Sequence, residues 1–178
     1  MFLLSQRLIG QEMYLKVGDE TRNGSTSTDF KDYIQIDAAQ FGTSSSVTVG
    51  GSMPTVGKPV FGNLVISKVN DKVSIYFLKC LAGGRLIPRV ELVLAFFYDQ
   101  SDKMLISQKI ELNDAFVTSV SSAGASRECS RCGFSETVSL AYTQIRVTTN
   151  TYDLQGKLSG APSVFVFDLQ SGKESFQN

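Results

Sequence analysis

The stretch Val90-Glu91-Leu92-Val93-Leu94-Ala95-Phe96-Phe97-Tyr98 restricts this chain more than any other segment. Val90, Leu92, Leu94, Phe96 and Tyr98 share one face of an extended strand, and Val93, Ala95 and Phe97 share the other. Successive strand side chains point to opposite sides of a sheet, so this segment demands cover on both. No apolar stretch of the chain approaches the roughly 18 residues of a membrane-crossing helix. The polar Asp99-Gln100-Ser101-Asp102 turn leads into Met104 to Leu112, which predicts a hairpin partner. In it Met104, Ile106, Ile110 and Leu112 are expected inward, with Lys109 and Glu111 outward.

Other segments repeat the theme. Val, Ile and Thr supply 16, 9 and 12 residues against 9 alanines, and these β-branched side chains favour pleated strands over helices. Met13 to Val17 alternates like a half-buried strand, and Tyr33 to Ile36, Asn63 to Val69, Ala115 to Val120 and Ser163 to Leu169 read as further strands. In Thr137 to Thr149, Val138 and Leu140 are out of phase with Ile145 and Val147, which predicts a bulge between Tyr142 and Gln144. One helix is expected, capped by Asn70 or Asp71, with Val73, Tyr76, Phe77, Cys80 and Leu81 inward and Gly83-Gly84 ending it. Lys79 and Arg85 then lie near the negative end of its dipole. Eight or nine strands and one helix describe an all-β barrel or sandwich, and 178 residues make one domain.

Gly42 to Gly62 differs from everything around it. It holds five glycines and two prolines around the isolated apolar residues Val47, Val49, Met53, Val56 and Phe61. Pro54 and Pro59 cannot donate to a ladder, which bars a central strand. The spaced valines favour a long extended arm over disorder.

Little in the chain points to catalysis. Its 178 residues include no histidine, which removes imidazole bases, Ser-His and Cys-His pairs and histidine metal ligands. Seventeen basic residues balance seventeen acidic ones, against a bulk electrostatic surface for nucleic acid or anionic membrane. Gly50-Gly51 and Gly83-Gly84 lack the surrounding pattern of a phosphate loop, and Asp99, Asp102 and Asp114 sit where aspartate commonly serves turns. Cys129-Ser130-Arg131-Cys132 is the sharpest local motif, but it supplies only half of a four-ligand zinc site, and Cys80 is expected inside. Arg127 and Arg131 favour a thiolate there, although no helix follows as in thioredoxin-like sites. No catalytic, metal or cofactor residue is assigned. The N-terminal Met-Phe-Leu-Leu-Ser-Gln-Arg has an apolar run of only four residues, followed by Ser5, Gln6 and Arg7, and is not a secretory signal, so cytoplasmic synthesis is expected.

The order of elements carries a resemblance. Met13-Tyr14-Leu15-Lys16-Val17-Gly18-Asp19, the glycine-rich arm, a helix ending near Leu81-Ala82-Gly83-Gly84, the segment Ile110 to Ser121 and the segment Glu136 to Val147 together resemble the Hcp family. These are the tube proteins of bacterial type VI secretion, and the likeness runs from about Met13 to Leu169. It implies a compact β-barrel with a lateral helix, six copies closing into a ring, and rings stacking into a hollow tube. The tube is expelled by a sheath, with effectors in its lumen, so secretion and sheath and spike partners are implied. Residues 1–12 are then an N-terminal extension, and Val47, Val49, Met53, Val56 and Phe61 on the arm are the expected subunit-interface residues. The competing classes are a monomeric β-sandwich binding module and a thiol-redox or zinc protein using Cys129 and Cys132.

Overall fold

A computed structural model describes residues 9–18, 27–50, 53–98, 101–124 and 134–177. In chain order the strands before the helix are β1 (Ile9–Val17), β2 (Ile34–Ile36), β3 (Ala38–Gln40), β4 (Thr43–Ser44), β5 (Val47–Thr48), β6 (Thr55–Val56), β7 (Val60–Phe61) and β8 (Leu64–Val69). Helix α1 (Ser74–Gly83) precedes β9 (Leu86–Tyr98), β10 (Ser101–Ala123), β11 (Ser135–Ala141), β12 (Gln144–Thr149), β13 (Ser163–Asp168) and β14 (Lys173–Gln177). Ten strands form one antiparallel sheet, where the sequence suggests eight or nine. The expected mainly-β fold with one helix is what the chain adopts.

β9 is covered on both faces, as its double apolar pattern demands. Val90 and Leu92 enter the main core with Leu15, Ile66, Phe77, Leu112, Val138 and Leu140. Val93 and Ala95 enter a second cluster with Tyr14 and Phe30, whose rings stack at 4.4 Å. Tyr14 corrects the half-buried reading of the first strand: β1 is buried on both faces too. Its residues Gln11 and Glu12, assigned to an extension, pair with Phe96 and Ala95 of β9.

β10 corrects two expectations. Met104 to Leu112 and Ala115 to Val120 are one strand of 23 residues, not two. Asn113-Asp114 reads as a break, yet Asp114 takes φ 48° and lets the chain continue, opposite Pro88 where the ladder with β9 omits a pair. Aspartate tolerates that left-handed conformation, and proline has no N–H to leave orphaned there. A register shift between Ile106 and Gln108 also turns the strand over. Met104 and Ile106 therefore pack on the second cluster, whereas Ile110 and Leu112 enter the main core. The four do not share a face. β12 and β11 follow each other along the other edge of β10, and their ladders break at Tyr142-Thr143, where the phase slip predicts it.

Helix α1 lays Val73, Phe77 and Cys80 on the main core. Leu81, expected inside, is instead 37% exposed, because the inward stripe follows Val73, Phe77 and Cys80. The expected cap is also corrected. The helix starts one residue after Val73 with no side-chain cap, and Asp71 Oδ1 accepts the Val73 N–H at 2.8 Å in the turn ahead. The helix has no basic residue in its last turn, so Lys79 sits too early to serve the dipole. Gly84 closes it at φ 55°, with the Arg85 N–H reaching Cys80 O at 2.9 Å. The final strand expected at Ser163 to Leu169 is followed by one more, β14, after a turn in which Asp168 Oδ1 accepts two backbone N–H groups.

Candidate interaction surface

The arm is a hairpin apart from the main sheet. β4 pairs with β7 (Thr43 opposite Phe61, Ser44 opposite Val60), and β5 pairs with β6 (Val47 opposite Val56, Thr48 opposite Thr55). Between these ladders Ser45 and Ser46 face Gly57, Lys58 and Pro59, so the return strand carries one residue more. Pro59 occupies that bulge and Pro54 lies beyond the last pair, so neither proline costs the hairpin a hydrogen bond.

At its root the arm is fixed. The Phe61 ring stacks on Phe167 at 4.5 Å, the Tyr142 hydroxyl donates to Gly62 O at 3.0 Å, and Asn63 Nδ2 donates to Thr118 Oγ1 at 3.0 Å. A cleft of about 540 Å³ opens beside Phe61, between Lys58 to Val60 and the turn Gln170 to Gly172. Beyond the root the side chains stand in solvent. Val49 is 83% exposed and Met53 79%, and Val47 and Val56 are exposed as well. Four of the five residues expected at an interface therefore share one uncovered hairpin, whereas Phe61 is half-buried against its own chain. Val60 is exposed and belongs with the four; its signal was the apolar spacing it continues beyond Val56.

Two polar groups lie beyond what the sequence suggested. Lys68 and Glu136 are each 1% exposed and directly opposite in the β8–β11 ladder, with Lys68 Nζ 3.0 Å from Glu136 Oε1. Ser74 Oγ donates to the same oxygen at 2.7 Å and Lys68 also reaches Asp71 at 2.8 Å, so the cluster ties the helix start to two strands. Glu136 Oε2 has no partner. Elsewhere Arg89, Glu91, Lys109 and Glu111 form an ion-pair cluster on β9 and β10, where Tyr33 donates its hydroxyl to Glu91.

Burial pushes the Glu91 carboxyl up, but the Tyr33 hydrogen bond and Lys109 and Arg89 outweigh it and hold its pKa below the ordinary 4.5. The folded chain thus binds that proton less readily than the unfolded one. Stability from Glu91 is full above about pH 4.5 and is lost as pH falls through the lowered value. Glu91→Gln should therefore lower the melting temperature at pH 7, and the difference from the parent should shrink below pH 4.5. A difference independent of pH would remove charge as its cause.

Cys80 is buried in the main core, and Cys129 and Cys132 lie outside the described residues. Among the described residues no three or more Cys, Asp or Glu side chains converge as metal ligands would. No helix among them is long and apolar enough to cross a membrane.

The family described as "Type VI secretion system effector, Hcp" matches residues 14–149. No curated protein sequence matches the chain. Among solved structures, one described as a type six secretion system protein superposes with a TM-score of 0.80 at 20% identity, covering 93% of this chain and 100% of that one. Hcp1 from Salmonella typhimurium gives 0.71 at 22% identity, over 94% of this chain and 100% of its own. The secreted protein Hcp3 from Pseudomonas aeruginosa gives 0.52 at 18% identity, over 84% and 96%.

Proposed function

Since the chain belongs to the Hcp family of type VI secretion tube proteins, we propose that its copies close into rings of six. These rings stack into a hollow tube that leaves the cell, with effectors in its lumen and a sheath and spike around and ahead of it. The role is structural and includes no catalytic step. The observation that carries the reading is the arm: a hydrogen-bonded hairpin whose Val47, Val49, Met53 and Val56 lie in water. Exposed apolar side chains gathered in one place mark a surface that another molecule covers. A head-to-tail contact that closes on itself gives a ring, and a second one along the axis gives a stack.

Light scattering of the purified protein at micromolar concentration tests this. The expected mass is about six times that of the 19.4 kDa chain. A single species at 19.4 kDa overturns the reading and returns the binding-module alternative.

A further inference from the structure

The cleft at the arm root is walled by two separate parts of the chain. Lys58 to Phe61, on the return leg of the arm, form one side, and Phe167, Leu169 and the turn Gln170 to Gly172 form the other. Its volume of about 540 Å³ lies within the roughly 300–1,000 Å³ of small-molecule sites. Apolar rings make much of its lining. Phe61 stacks on Phe167 at 4.5 Å, and Phe165 extends the stack with both neighbours at 6.4 Å. Phe61 and Leu169 are only half-buried, which leaves apolar surface facing the opening.

Charge gives the cleft a sign. Lys58 is the only charged residue lining it, and the only one in the arm from Gly42 to Gly62. It is exposed, and among the described residues no carboxylate pairs with it. Asp168, which precedes the facing turn, is already engaged: its Oδ1 accepts the Gln170 N–H at 2.9 Å and the Ser171 N–H at 2.8 Å. Glu174 belongs to a second, smaller opening of about 300 Å³ that shares Pro59, Phe61 and Phe167. In such sites apolar walls supply affinity and a few polar groups fix orientation. A lone cation beside stacked rings suits a ligand with a flat apolar body and one negative group.

We infer that this cleft binds a small aromatic carboxylate, its ring against Phe61, Phe167 and Leu169 and its carboxylate toward Lys58. Gln170 and Ser171 offer neutral hydrogen-bonding groups across the opening and no competing charge. Because one wall belongs to the arm and the other to the main sheet, a bound molecule ties the two together. The site needs no second copy of the chain.

Phenylpropionate, phenylpropionamide and phenylpropylamine share one apolar body and differ in charge, and ligand-observed NMR on the purified protein ranks them. The acid should bind with a roughly millimolar dissociation constant, as its size allows. It should bind about threefold more tightly than the amide, the gain expected from one exposed ion pair, and more tightly still than the amine. Lys58→Gln and Gln170→Glu, at exposed positions on opposite walls, should each abolish that preference. Lys157→Gln, in the loop that precedes β13 at the strand's other end, should keep it. With saturating acid, backbone amides in 60–62 and 167–172 should exchange with deuterium more slowly. An acid that binds no better than the amide overturns the inference, as does a preference that survives either cleft variant. Loss of the preference in Lys157→Gln, or protection confined to other parts of the chain, overturns it as well.

Discussion

Lys68→Met should cost about 3–5 kcal/mol of folding free energy, because it leaves the Glu136 carboxylate buried without its counter-charge. That is a large share of the 5–15 kcal/mol that typically separates folded from unfolded domains. Glu136 already has one oxygen without a partner, so the site holds no spare donor to replace Nζ. The midpoint of urea unfolding, read at fixed protein concentration, is the measurement. Lys68→Met combined with Glu136→Leu should recover most of the loss, because the pair repays its own desolvation and little more. A single variant as stable as the parent would mean that water reaches the pair.

Replacing Ser44 to Lys58 by a short Gly-Ser linker should leave the protomer folded and abolish assembly. Phe61 stays in place on Phe167, so the root keeps its packing, while the residues removed are those in solvent. Thermal melting should shift little, and light scattering should lose the assembled species. Unfolding of the shortened chain would make the segment part of the core. Undiminished assembly would take the arm out of the interface.

How far the sequence carries such a reading depends on whether a feature is local. The two-sided burial of β9, the interruption near Tyr142 and the Gly84 helix stop are each written in a few adjacent residues, and each stands where it was expected. The two errors at β10 have different sources: Asn113-Asp114 reads as a break, yet Asp114 at φ 48° continues the strand, and the faces were misread for another reason. Alternation gives the face of a residue only until a bulge intervenes, and the shift near Gln108 moves Ile110 and Leu112 to the side opposite Met104. Lys68 and Glu136 are 68 residues apart and become visible as a pair only through the β8–β11 register. In the arm, the apolar spacing identified Val47, Val49, Met53 and Val56, but the aromatic partners that draw Phe61 inward lie on β13. The exposure of Ile75, Leu78 and Leu81 on α1 was hidden because apolar residues surround that helix and only packing separates the wet ones from the dry.

The length of β10 governs how the protomer can come apart. Its residues bond to β9 on one edge and to β12 and then β11 on the other, so three strands depend on it. Partial unfolding normally begins where an element can detach without disturbing its neighbours. Here β9, β11 and β12 cannot leave without opening a ladder of β10, and opening β10 dismantles both apolar clusters together. Fraying is thereby expected first at the sheet edges β14, β3 and β2 and at the arm, while β9 to β12 yield as one cooperative unit. The four strands β9 to β12 are thus built to remain whole until they fail at once.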